Sequence, residues 1–120
     1  MLHLSASCRY YLYREQTDMR KGFDSLCGIV QNQLEKNPLS GDVYIFLNRR
    51  RTHIKLLLWE GDGFSIYYKR LEKGSYELAE AKGLDDQLNI TSRELSLMLQ
   101  GISVNKVQYR LRYQHKSTFC

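Results

Sequence analysis

Three adjacent arginines, Arg49, Arg50 and Arg51, stand between two runs rich in apolar residues. Cations crowded on a loop tip repel one another and add nothing to a core, so they call for an anion. Lys55, Lys69 and Arg70 fall on the strands that follow, and Arg20 and Lys21 fall where a helix begins. A helix start favours an anion too, through its unpaired amides and its dipole. Together these side chains can grip phosphates or enter a groove of DNA. Trp59, Phe64 and Tyr68 can stack bases if the sheet face that bears them is open. The competing readings are an ordinary solvated tip for the arginines and core packing for the aromatics.

Catalytic chemistry has less support. Asp42, Glu60 and Asp62 could gather carboxylates near strand ends to hold a divalent metal, with Lys55 steadying a phosphate, as a nuclease would need. Turns prefer Asp in any case, and Asp42 simply begins a strand, so the plainer reading is favoured. No Gly-x-Ser-x-Gly is present, and His3, His53 and His115 have no partner that sequence identifies. Phosphate-loop and dinucleotide fingerprints are absent, because Gly61-Asp62-Gly63 lies in a hairpin turn and opens no helix. The expectation is a protein without catalysis, metal or cofactor.

The elements that must position these residues centre on Asp42 to Leu71. Strands are expected over 43–48, 53–59 and 64–70, with Glu60-Gly61-Asp62-Gly63 as a tight hairpin. Alternation then puts Lys55, Leu57, Trp59, Phe64, Ile66, Tyr68 and Arg70 on one face, and Ile54, Leu56, Leu58, Ser65, Tyr67 and Lys69 on the other. If the arginine loop runs from Arg49 to Thr52, Val43, Ile45 and Leu47 join the aliphatic face while Tyr44 and Phe46 join the aromatic one. A five-residue loop would reverse that first strand. The aliphatic face suits a covering helix.

Before this unit, Cys8 to Arg14 reads as a strand. A helix follows from about Met19 or Arg20 to Glu35, capped by Thr17 or Asp18, with Phe23, Leu26, Cys27, Val30 and Leu34 as its apolar stripe. Gly22 weakens its first turn, a cost tolerable if the backbone there passes close to something. Asn37-Pro38 ends it. After the third strand, 72–90 reads poorly, with a short strand at Tyr76-Glu77-Leu78 and loop elsewhere. Thr91-Ser92-Arg93-Glu94 matches a capping box, opening a short helix with Leu95, Met98, Leu99 and Ile102 on one face. Val107 to Tyr113 alternates like a half-buried strand. The fold expected is α+β, a mainly antiparallel sheet of four to six strands with two helices packed as a single layer on one face.

The 120 residues suffice for one domain, 1–120, and 42% hydrophobic with 26% charged is ordinary for a globular chain. The net charge of +5 is unevenly spread. It amounts to +4 over residues 1–59, −3 over 60–94 and +4 over 95–120. That asymmetry suits a polyanionic partner. Cys8, Cys27 and Cys120 are odd in number and lack Cys-x-x-Cys, which argues for a reducing compartment and against a disulfide framework or zinc site. Cys27 reads as a small core residue. No signal sequence and no run of ~20 apolar residues is seen, so a cytoplasmic location is expected.

A resemblance sharpens these readings. The run Thr17 to Asp24, then Ser40-Gly41 with a short strand to Asn48-Arg49-Arg50, resembles the small TnpB-type accessory protein of insertion-sequence family sixty-six. So do Ile54 to Phe64, with its Trp59-Glu60-Gly61-Asp62-Gly63, and Tyr68 to Gly74, while Leu97-Met98-Leu99-Gln100-Gly101-Ile102 resembles the family's closing element. The likeness covers about residues 10–102. Glu60 stands where the family usually has Asp, which keeps the charge but weakens any precise metal geometry. The 75–90 segment does not match clearly, and the tail after Ile102 is this chain's own. The resemblance implies an accessory role in moving DNA, beside a larger transposase that carries the catalytic acids. The partners implied are DNA at the insertion-sequence ends and that transposase. An adaptor that docks the transposase without touching DNA is the alternative.

Overall fold

The computed structural model describes residue 5, residues 7–77 and residues 87–100. The elements follow in the order β1 (Tyr10–Gln16), α1 (Phe23–Asn32), β2 (Val43–Leu47), β3 (His53–Trp59), β4 (Phe64–Arg70), β5 (Gln87–Ile90) and α2 (Ser92–Gln100). The strands form one sheet in the order β4-β3-β2-β1-β5. Every neighbouring pair is antiparallel except β1 and β2, which run parallel. The class is α+β, with the two helices and mainly antiparallel sheet expected.

The faces alternate as the sequence requires. Lys55 lies opposite Tyr68, Leu57 opposite Ile66 and Trp59 opposite Phe64 across β3 and β4. Tyr44 lies opposite Leu57 and Phe46 opposite Lys55, so the connection from β2 to β3 is the four-residue Arg49–Thr52 loop. The helices, however, do not share a face. Leu95 and Met98 of α2 cover the aliphatic side, on Leu12, Ile45, Leu47, Ile54 and Leu56. Leu26 and Val30 of α1, with Leu34 beyond its end, cover the aromatic side, on Tyr11, Tyr44, Phe46 and Leu57. The expected single helical layer is thus corrected to one helix on each face. Tyr11 and Tyr44 stack with centroids 5.7 Å apart, and that much ring surface is as costly to leave in water as the aliphatic side.

Local expectations fare differently from element to element. Thr91 and Glu94 form the reciprocal capping box, with Thr91 N donating to Glu94 Oε1 at 2.8 Å and Glu94 N to Thr91 Oγ1 at 3.0 Å. Helix α1 starts later than expected, at Phe23 after an N-cap of Gly22 that has no side-chain hydrogen bond. A Cβ at Gly22 would meet nothing within 4 Å, so no close approach explains that glycine. Asp18 shapes the preceding turn instead, accepting from Arg20 N at 2.9 Å. Tyr76 and Glu77 lie outside any strand, and the strand of that region is β5, on the far side of β1. Leu78, Ile102, Cys120 and the strand expected at 107–113 fall outside the described residues. Cys8 and Cys27 are free, and Cys27 packs half-buried beside the α1 core, where burial pushes its thiol up.

Candidate nucleic-acid interface

Topology decides which basic residues can meet. Because β1 and β2 are parallel, their carboxyl ends lie side by side, with Gln16 opposite Leu47. Because β3 is antiparallel to both β2 and β4, its start meets the end of each: Leu47 pairs with Ile54, and His53 pairs with Arg70. One end of the sheet therefore gathers the 17–22 segment, the Arg49–Thr52 loop and the exit of β4. Arg20, Lys21, Arg49, Arg50, Arg51, Lys69 and Arg70 all belong to that end. From β4 to β1 it spans three strand spacings, roughly 14 Å, comparable to the ~12 Å major groove of duplex DNA.

The arginine loop is braced by the residues around it. Asn48 Oδ1 accepts from Thr52 N at 2.9 Å and from His53 N at 3.0 Å. Its Nδ2 donates to Thr52 Oγ1 and to His53 Nδ1, which fixes Nδ1 as an acceptor. Arg51 N bonds Asn48 O, and Arg51 O accepts from Tyr76 N at 2.7 Å. Arg51 itself holds φ of 59°, a left-handed conformation that L residues adopt at a cost. Arg49, Arg50 and Arg51 are exposed, and none forms an ion pair with a described carboxylate.

Other expected contacts are differently placed. Lys55 is 8% exposed, and its Nζ donates to Met19 O at 2.8 Å and Lys21 O at 2.9 Å while lying 4.7 Å from the Tyr68 ring centroid. It ties the 17–22 segment to the sheet and faces away from solvent. Arg20 grips Asp18 through Nε and Nη2, the latter at 2.7 Å, and those bonds hold the Asp18 carboxyl well below the usual carboxylate range. Arg70 pairs with Glu72 at 3.0 Å. Trp59 lies at the opposite end of β3, about 20 Å from His53 at the strand rise, packed edge-on to Phe64 with centroids 4.9 Å apart. Of the three aromatics proposed for stacking, Tyr68 is the exposed one.

The carboxylates considered for a metal, Asp42, Glu60 and Asp62, sit at that opposite end, and the first two have other partners. Asp42 accepts from Ser40 Oγ and lies 3.9 Å from Arg9, and Glu60 accepts from Ser65 Oγ at 2.6 Å. Among the described residues no three His, Cys, Asp or Glu come together to hold a metal ion. Also among them, no helix is long and apolar enough to cross a membrane.

One residue of the basic end escaped the sequence reading. Arg14 lines a cleft of about 270 Å³ together with Arg49 and Arg51. It reaches them because β1 and β2 are parallel, and the cue was the long, helix-bearing connection between the two strands, too long for a hairpin.

Comparison with known proteins agrees with the resemblance noted above. The profile of the IS66 Orf2-like proteins matches residues 8–109, so the family extends seven residues past Ile102 into the tail and across the 75–90 segment. Two uncharacterized proteins of Sinorhizobium fredii (strain NBRC 101917 / NGR234) are similar. One, y4hO, is 34% identical over 102 residues, covering 85% of this chain and 87% of its own. The other, y4jC, is 27% identical over 108 residues, covering 90% and 91%. No solved structure matches. With the profile spanning most of its length, the chain belongs to the IS66 Orf2-like family of insertion-sequence accessory proteins.

Proposed function

We propose that this protein binds DNA through the basic end of its sheet and so assists a separate transposase in moving the insertion sequence. In this reading it performs no catalysis itself. The observation that carries it is the braced loop of Arg49, Arg50 and Arg51, three exposed guanidiniums without a described carboxylate partner. A loop fixed by Asn48 before binding loses little conformational freedom when phosphates arrive, which favours affinity. Lys21 extends the same rim, Lys69 lies at the same end of the sheet, and Arg20 and Arg70 enter it already shared with Asp18 and Glu72. Lys55 acts as a strut, and Trp59 lies outside the contact.

Titration of fluorescent terminal-repeat DNA with the purified protein, with and without the transposase, tests this. Binding by the protein alone is the expected result. Co-purification with the transposase and no retention of DNA alone would instead favour an adaptor that docks its partner through the same cations.

A further inference from the structure

Bulges are rare between parallel strands, and they are over-represented at sheet edges and next to active sites, where they re-aim a side chain or end the pairing. Strand β1 carries an irregularity of this kind. Leu12 pairs with Ile45 and Gln16 with Leu47, so four residues of advance on β1 oppose two on β2. The cleft of about 270 Å³ opens where that surplus lies. Its walls are the displaced residues Tyr13 to Gln16 on one side and Asn48, Arg49 and Arg51 on the other. It lies at the carboxyl ends of the one parallel strand pair, β1 and β2.

The lining selects the ligand. Arg49 and Arg51, exposed and without an ion pair to a described carboxylate, outnumber the single carboxylate of Glu15 in the lining, so the occupant is an anion. Tyr13 adds a partly exposed ring, set edge-on to Phe46 at 6.0 Å, and Gln16 adds an exposed carboxamide that can read a base edge. The Asn48 carboxamide is spent on Thr52 and His53, so it shapes the wall and leaves recognition to its neighbours. Arg51 stands in a left-handed position that glycine would occupy at less cost, which places a cation at the cleft in spite of the backbone. An anion joined to a flat, hydrogen-bonding ring is a nucleotide. A duplex keeps its bases stacked and paired inside and offers such a cleft only phosphates, whereas an unpaired strand can lay one base into it.

We propose that the bulged cleft between β1 and β2 holds one unpaired nucleotide of single-stranded DNA, with its phosphate on Arg49 and Arg51 and its base against Tyr13. This rests on the DNA-binding reading and adds a strand preference to it. The test is fluorescence anisotropy with one oligonucleotide as a single strand, as a duplex, and as a single strand of abasic sites, all at one salt concentration. The wild-type protein binds the single strand at least about tenfold more tightly than either of the others, a factor within the range of one base–aromatic stack. Tyr13→Leu removes that margin and leaves duplex affinity within about twofold. Because Tyr13 is partly buried, Tyr13→Phe serves as a second variant that keeps the ring in place, expected to retain the single-strand margin that Tyr13→Leu loses. Equal wild-type affinity for the three DNAs, or variants that shift single strand and duplex alike, would overturn the nucleotide site while leaving DNA binding in place. Absence of binding to any of them would overturn both.

Discussion

The Lys55 amine is buried with two backbone carbonyls and a tyrosine ring for company, and no carboxylate among the described residues is paired with it. Replacing it removes the strut under the 17–22 segment and leaves two carbonyls without a donor. Lys55→Met is therefore expected to destabilise the protein by about 1–3 kcal/mol, measured by denaturant unfolding. Its effect on the salt dependence of DNA binding should be nil, whereas a lysine on phosphate would contribute about one counterion. Asp18 makes the opposite case. Its carboxyl is depressed by Arg20, so any stability it adds is present above the unfolded carboxylate range and is lost as pH falls through the lower folded value. Asp18→Asn keeps the acceptor for Arg20 N and frees the guanidinium. DNA affinity should rise, and the log–log salt slope should steepen by up to about 0.9, read by titration at several salt concentrations.

At the scale of elements, the sequence was clearest where a local rule suffices. The register of β2, β3 and β4 follows from alternation and a four-residue loop, and α2 begins where Thr91 and Glu94 cap it. Thr91→Ala removes one half of that capping box and should cost about 1 kcal/mol, seen as a lower midpoint in thermal unfolding. Long-range pairings were harder to read. Strand β5 is four residues long, and Gln-Leu-Asn-Ile alternates but includes Asn, a poor strand former, so only its pairing with β1 identifies it. The placement of α1 was hidden for another reason. Sequence leaves base stacking and core packing both open for the aromatic face, and the structure buries Tyr11, Tyr44 and Phe46 beneath that helix.

For the whole molecule, what matters is which end of the sheet each cation occupies. Sequence listed Arg20, Lys21, Arg49, Arg50, Arg51, Lys55, Trp59, Lys69 and Arg70 together because each has suitable chemistry. The sheet order brings most of them to one rim, sends Trp59 to the opposite end and turns Lys55 inward. Neither result can be read from composition, since they depend on the parallel pairing of β1 with β2, on the sheet order and on the burial of Lys55 beneath the 17–22 segment. The same pairing brings Arg14 beside the arginine loop. A rim assembled from separate loops also makes its function separable from its folding, because Arg49, Arg50 and Arg51 are exposed and contribute to neither core.

The most direct measurement is the salt dependence of duplex DNA binding by the wild-type protein and by the triple variant Arg49→Ala, Arg50→Ala, Arg51→Ala. With about five phosphates neutralised, the wild-type log–log slope should be near −4.5, and the triple variant, still folded by circular dichroism, should flatten it by about 2.7. A folded triple variant with the wild-type slope would contradict the account by removing the arginine loop from the interface.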